Sequence, residues 1–159
     1  MTIRIVCAGK LKEQYFTDAV ADYRKRLSRF ASVDIQEVQD EKIPDNASEA
    51  EERIAVDREG DRLLSRIQPS DYVIALAIGG RVYSSEQFAD YILSLQNRGK
   101  STIVFVIGGS MGLSSAVMKR ADASLSLSAM TFPHRLARVL ILEQTYRAFK
   151  ILSNEPYHK

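Results

Sequence analysis

The stretch that decides the fold is Thr102-Ile103-Val104-Phe105-Val106-Ile107-Gly108-Gly109-Ser110-Met111-Gly112. Its first half is an unbroken apolar and β-branched run, which predicts a strand covered on both faces, as in the parallel sheets of α/β proteins. The glycines after it predict a tight turn, and a short helix is predicted from Ser114 toward Arg120. The segment therefore indicates a buried strand that leads through a glycine-rich loop into a helix.

The same alternation extends outward in both directions. Residues 72–78 are a second continuous apolar run and predict a neighbouring parallel strand. Residues 33–38 alternate apolar and polar side chains, which is typical of a strand with one wet face near the sheet edge. Two further strands are predicted at residues 3–8 and 124–128. Apolar spacings of three and four predict helices at residues 16–30, 48–67, from Ser84 or Ser85 to Leu95, and 133–152.

The predicted helix at residues 48–67 is mostly charged. Ser48 with Glu51 has the spacing of a capping box. We expect the rest of its surface to be solvated, and its inward face to be formed by Ile54, Leu63, Leu64 and Ile67.

Alternating strands and helices predict an α/β fold with a mostly parallel sheet flanked by helices. The chain has 159 residues, of which 45% are hydrophobic and 26% charged, and we expect residues 1–159 to form one domain. The formal net charge of +2 is too small to indicate nucleic acid by bulk charge, so an RNA contact would need a local patch. Candidates are the basic side chains in and just before the first helix, which otherwise form a solvated face: Lys10, Lys12, Arg24, Lys25, Arg26 and Arg29.

Few residues are suited to binding a metal. Cys7 is the single cysteine, which excludes an internal disulfide and a Cys-only zinc site, and His134 and His158 are the two histidines. We therefore expect no metal. The N-terminus lacks the apolar core of a secretory signal, and no segment has the length and apolarity of a membrane span. The expected location is the cytoplasm, with no membrane partner.

Three segments follow predicted strands and are expected to meet at one pocket: residues 79–80, 108–109 and 126–132. Residues 108–112 let a backbone approach a ligand closely, although a purely structural turn explains them equally well. They lack the spacings of a dinucleotide fingerprint and of a P-loop, which argues against a phosphate cradle. Residues 125–134 are small and apolar, which suits either a lining for a flat ring such as adenine or a buried connection.

Three further features each allow two interpretations. His134 is either a base or RNA ligand, or a structural hydrogen bonder at the start of a helix. The C-terminal Tyr157-His158 pair either contacts a splayed base or belongs to a frayed terminus. The final helix is apolar around its whole circumference at residues 139–142, which fits either a homodimer interface or burial within one chain.

Three segments in this order resemble the bacterial RlmH family: Val104-Phe105-Val106-Ile107-Gly108-Gly109, Leu127-Ser128-Ala129-Met130-Thr131-Phe132-Pro133-His134 and Pro156-Tyr157-His158-Lys159. Members are SPOUT-class methyltransferases. The resemblance covers the whole chain and implies a C-terminal trefoil knot and a homodimer. It also implies S-adenosylmethionine-dependent methylation of N3 of a pseudouridine in 23S ribosomal RNA, on the assembled ribosome. The alternative is a non-catalytic, ribosome-associated nucleotide-binding module.

The resemblance also implies the roles of individual residues. S-adenosylmethionine is expected at Leu76, Gly108 and the loop formed by Leu127, Ser128, Ala129, Met130, Thr131 and Phe132. The expected catalytic residues are His158, Tyr157 and His134. Tyr157 and His158 match the ending of the family, and either His158 or His134 is expected to assist loss of the N3 proton.

Overall fold

The computed structural model describes residues 1–159, in which five strands and five helices alternate strictly along the chain. In order they are β1 (Thr2–Ala8), α1 (Gln14–Leu27), β2 (Ser32–Val38), α2 (Glu49–Leu64), β3 (Tyr72–Val82), α3 (Ser85–Asn97), β4 (Thr102–Ile107), α4 (Ser115–Arg120), β5 (Ala123–Ser126) and α5 (His134–Leu152).

The strands form one sheet in the order β2-β1-β4-β3-β5, and every neighbouring pair is parallel. The predicted α/β class with a mostly parallel sheet is thereby confirmed. The apolar stretch quoted first is the central strand, β4, and β2 lies at an edge, as its alternating pattern predicts. The trefoil knot that the resemblance implies stays a prediction.

Both faces of the sheet are covered, and β4 shows how. Ile103, Phe105 and Ile107 pack on the side of α1, α3 and α5, whereas Val104 and Val106 pack on the side of α2 and α4. Because successive side chains of a strand point to opposite faces, a run without polar residues is what a two-sided core requires.

Strand β3 differs from its prediction. It continues through Gly79 and Gly80 to Val82, and its pairing with β5 shifts so that both Leu76 and Arg81 lie opposite Leu125. Ile78 is 71% exposed, so the prediction that residues 72–78 are covered on both faces is wrong at their far end. The physical reason is the register shift, which leaves residues 77–80 as an unpaired bulge opposite β5, while pairing of β3 with β4 ends at Ala75.

Helix α2 also differs. Ser48 accepts the predicted hydrogen bond from the Glu51 N–H, at 3.2 Å. Ile54, predicted to face inward, is 53% exposed. It lies nine positions before the buried Leu63, which is about two and a half turns, so it occupies the opposite face of the helix. The inward face contains Glu59 and Gly60, so the prediction that this part of α2 is solvated is wrong.

The remaining differences are at element ends. Pro133 is the N-cap of α5 rather than its first helical residue, and β5 ends at Ser126. Phe30 lies beyond the end of α1, where its ring stacks on Phe149 with centroids 5.5 Å apart. No helix in the structure has the length and apolarity needed to span a membrane.

Candidate active site

A cavity of about 840 Å³ opens at the carboxyl ends of β3, β4 and β5. The end of β3, the loop after β4 and the connection from β5 to α5 form its walls, which brings together segments that the sequence separates by some fifty residues. Of the eight expected cofactor residues, only Ala129 lies outside the lining, as an exposed residue of the same connection. The other seven line the cavity: Leu76, Gly108, Leu127, Ser128, Met130, Thr131 and Phe132.

The loop after β4 turns within residues 108–112. Gly109 and Gly112 form an isolated antiparallel bridge, and Gly112 has a φ of +82°, which favours glycine. A Cβ added to Gly108 would lie 2.5 Å from the Gly112 carbonyl oxygen. The turn therefore requires glycine at Gly108 and Gly112, as the interpretation of residues 108–112 as a structural turn predicts.

The connection from β5 to α5 is folded by its own serines. The Ser126 hydroxyl donates to the Ser128 carbonyl oxygen at 2.8 Å, and the Met130 N–H donates to Ser128 Oγ at 3.0 Å. Met130 is 75% exposed and Ile78 of β3 is also exposed, and both side chains line the cavity. These two exposed side chains form an apolar rim of the cavity.

His134 is the one ionisable side chain in the cavity lining. Its Nε2 is buried and has no hydrogen-bond partner. Burial lowers the pKa of His134 below the ordinary imidazole value of 6.5, and the positive charges of Arg135 and Arg138 lower it further. The imidazole is therefore neutral at physiological pH, and one of its two ring nitrogens bears no hydrogen.

Tyr157 lies outside this cavity, against α5 of its own chain. Its hydroxyl donates to Glu143 Oε1 at 2.9 Å, and its ring packs edge-on against Tyr146 with centroids 4.9 Å apart. Burial and the Glu143 carboxylate raise the pKa of Tyr157 to about 12. The phenol stays protonated near neutral pH and can donate a hydrogen bond, but it cannot act as a base there.

His158 also lies outside the cavity, between α5 and α3. Arg147 Nη1 donates to His158 Nδ1 at 3.2 Å, so Nε2 bears the hydrogen that is directed to Glu86 Oε1 at 2.7 Å. Within one chain, the three expected catalytic residues therefore do not share a cavity.

A second cavity, of about 470 Å³, lies between α3 and α5. Residues 125–128 and Phe132 form a wall common to both cavities. Ser85 donates to Gln144 Oε1 at 2.8 Å, and Gln144 in turn donates to Glu143, the partner of Tyr157. A hydrogen-bonded chain thus joins this second cavity to the C-terminal tail.

Two buried charged residues near the main cavity were missed by the sequence analysis. Glu59 accepts a hydrogen bond from the Gly109 N–H at 2.9 Å. Arg138 is 1% exposed and donates to Glu37 Oε2 at 2.6 Å and to the Gly9 carbonyl oxygen at 3.1 Å. An arginine within an otherwise apolar helical segment was a signal for Arg138, since charged residues are rarely buried unless paired.

The basic residues of α1 are partly neutralised. Arg26 pairs with Asp22, and Arg29 pairs with Glu155 of the tail. None of them lines either cavity. Cys7 is buried, and burial raises its thiol pKa to about 11, so it is a poor nucleophile. No cluster of His, Cys, Asp and Glu side chains in the structure is suited to holding a metal ion.

Known proteins resemble this chain over its whole length. A family model described as "Predicted SPOUT methyltransferase" matches residues 1–158. Proteins named "Ribosomal RNA large subunit methyltransferase H" match over all 159 residues and their own full length: those of Bacillus pumilus, Lactobacillus acidophilus and Clostridium novyi are 54%, 55% and 53% identical.

Among solved structures, a probable methylase family protein from Haemophilus influenzae Rd KW20 superposes with a TM-score of 0.54. The match covers 99% of this chain and 70% of that one at 15% identity, which is a likeness of fold alone.

Proposed function

This chain belongs to the SPOUT methyltransferase family, and we propose that it transfers the methyl group of S-adenosylmethionine to N3 of a pseudouridine in 23S ribosomal RNA. The acceptor is the assembled ribosome, in the cytoplasm, and residues 1–159 act as one methyltransferase domain. The observation that supports this most is the cavity of about 840 Å³, whose lining contains glycine backbone, apolar side chains and one neutral imidazole.

The lining suits the proposed cofactor. Leu76, Leu127 and Met130 offer apolar surface to the two faces of an adenine, and the backbone of residues 126–131 offers N–H and C=O groups to its edge. No Lys or Arg lines the cavity, so a phosphate would find no cationic partner there. Adenosine without phosphates is therefore favoured over a nucleotide or dinucleotide.

When bound, S-adenosylmethionine supplies an electrophilic methyl group on a sulfonium. The work of this chain is to position the acceptor and to accept its proton. The apolar rim formed by Ile78 and Met130 is exposed, so it is free to pack against the bound substrate. N3 of pseudouridine bears an imide hydrogen, and the neutral imidazole of His134 in the cavity lining is the group that accepts it.

In a homodimer, the C-terminal tail (residues 153–159) of one subunit enters the cavity of the other. Tyr157 and His158 lie away from the cavity of their own chain, so the tail of a second subunit is the means by which these residues reach a target nucleotide. Apolar surface for such an interface is present on α5, where Leu136, Val139 and Leu140 are only half-buried. Tyr157 then serves as a hydrogen-bond donor to the nucleotide, in keeping with its raised pKa.

The test is transfer of tritium from labelled S-adenosylmethionine to ribosomes that lack the modification, with purified large subunits and free ribosomal RNA in parallel. We expect label in 23S RNA and the highest rate on assembled ribosomes. Cofactor binding without label on any of the three acceptors would refute methylation of this RNA and favour a non-catalytic binding module.

A further inference from the structure

Glu59 is unusual among the acidic residues of α2. It is 7% exposed, whereas Glu49, Glu51, Asp57 and Asp61 on the same helix are exposed. The other buried residues of α2 are Gly60 and Leu63, and Leu63 belongs to the apolar layer between the sheet, α2 and α4. A buried carboxyl group is costly to stability unless its oxygens are bonded, so its partners indicate what it does.

Those partners are two backbone N–H groups from different loops. The N–H of Gly109, in the loop after β4 (residues 108–112, the cavity loop), donates to Oε1 at 2.9 Å. The N–H of Glu41, in the connection between β2 and α2, donates to Oε2 at 3.1 Å. No lysine, arginine or histidine pairs with Glu59. The carboxyl group is therefore bonded entirely to backbone, and each of its oxygens holds a different segment.

Gly60, next to Glu59 on α2, lies against Ser114, which follows the cavity loop. A Cβ added to Gly60 would lie 2.2 Å from Ser114 Oγ and 2.8 Å from Ser114 Cβ, so α2 touches the chain there at a distance that only glycine allows. Ser114 in turn caps α4 by accepting from the Val117 N–H at 3.2 Å. Helix α2 thus holds both ends of the loop, at Gly109 through Glu59 and at Ser114 through Gly60.

The other segment is held to α2 as well. Arg62 of α2 donates to Glu41 Oε1 at 2.7 Å and to the Gln39 carbonyl oxygen at 3.1 Å. The connection that begins at Gln39 and the cavity loop at Gly109 consequently share one support. Gly109 lines the cavity and Glu59 does not, so Glu59 acts on the cavity through the glycine peptide.

We propose that Glu59 is a positioning residue, which holds the backbone of the cavity loop (residues 108–112) in place and joins it to the connection between β2 and α2. The inference rests on the proposed function for the identity of the cofactor. With its oxygens on two N–H groups, Glu59 fixes the Gly109 peptide before the cofactor binds, and this lowers the ordering cost of binding.

The direct test is Glu59→Gln, because a carboxamide has one acceptor oxygen and leaves one of the two N–H groups unpaired. Asp61→Asn is the matched control, since it makes the same charge change on an exposed residue of the same helix. For Glu59→Gln we expect the Kd for S-adenosylmethionine, measured by calorimetry, to rise about 10-fold. We expect kcat at saturating cofactor and the KM for ribosomes to stay within about twofold, and Asp61→Asn to match the wild type.

Gly109→Ala disturbs the same contact from the other side, since its Cβ would lie 3.0 Å from Glu59 Oε2. It should raise the Kd as Glu59→Gln does, and the two effects should be non-additive in the double variant. This second variant keeps the proposal testable if Glu59→Gln does not fold.

Hydrogen exchange without any ligand separates this inference from the proposed function. In Glu59→Gln we expect faster exchange at the amides of residues 109–112, and unchanged exchange in β4. If the wild type fails to bind S-adenosylmethionine, the proposed function fails, and the exchange result still decides the role of Glu59. A Kd equal to that of the wild type with unchanged loop exchange, or a loss of folded protein with no change in the Kd of the remainder, would overturn the positioning role.

Discussion

At the residue scale, His134 is the side chain on which the proposed chemistry depends most. His134→Ala should lower kcat by about 100-fold, the usual contribution of a positioned base, and leave the Kd for S-adenosylmethionine nearly unchanged. Because the pKa of His134 is below 6.5, the base form persists at neutral pH, and the wild-type rate should fall only in more acidic buffer as the imidazole protonates. Single-turnover rates measured across pH check both expectations. Unaltered rates in His134→Ala would remove it from the chemistry.

Two adjacent glycines in β3 provide a second test at this scale. A Cβ on Gly80 would lie 2.6 Å from the Leu125 backbone carbon, whereas a Cβ on Gly79 meets nothing within 4 Å. Gly80→Ala should push the wall of the cavity at residues 125–128 and weaken cofactor binding, while Gly79→Ala should bind as the wild type does. Calorimetry on the pair measures this difference. Equal affinities in the two variants would mean that the close approach of β3 to β5 does not shape the cavity.

At this scale the sequence predicts those site residues that can be recognised from the composition of their own segment. Gly108, Leu127 and Met130 stand in apolar or glycine-rich segments, and such segments predict a cavity lining whatever lies opposite. Leu76 was expected in the lining only because of the resemblance to the RlmH family. Glu59 belongs to a charged helix, and its burial depends on Gly109, fifty residues away. Arg138 depends likewise on Glu37 and Gly9. These contacts are set by packing between distant elements, which a local pattern does not contain.

At the element scale, Arg138 ties α5 to the carboxyl ends of β1 and β2. Its pair with Glu37 is buried on the arginine side, so Arg138→Ala leaves unpaired polar groups and should lower the free energy of unfolding by about 3 kcal/mol. Arg135, the second residue of α5, forms a partly exposed pair with Glu13. Arg135→Ala should therefore lower the free energy of unfolding by less than about 1 kcal/mol. Urea unfolding of both variants tests this. A similar loss in the two would contradict the role given to burial.

The order of the elements was predictable, because apolar runs of strand length and three-and-four spacings are strong signals. The ends of β3 and the face of α2 were not. The register shift opposite Leu125 depends on how β3 meets β5, and the inward face of α2 is chosen by α4, which packs at Gly60. In both cases a partner element decides which residues are buried.

At the scale of the whole molecule, the account requires two subunits. Sedimentation equilibrium should give twice the 17.9 kDa of one chain. Leu136→Lys introduces a charge on the half-buried apolar surface of α5 and should yield monomers that fold but do not transfer methyl groups. Leu93→Lys, at an exposed position on α3, should remain dimeric and active. Full activity in a monomeric Leu136→Lys would show that the tail of a second subunit is not needed.

The most direct test of the central claim is the identity of the nucleoside that the enzyme makes. Ribosomes lacking the modification would be incubated with enzyme and S-adenosylmethionine, and the 23S RNA digested to nucleosides for mass spectrometry, beside ribosomes that also lack pseudouridine. The account predicts N3-methylpseudouridine in the first sample and no methylated product in the second. A methyl group on a different base, or equal methylation of both samples, would contradict it.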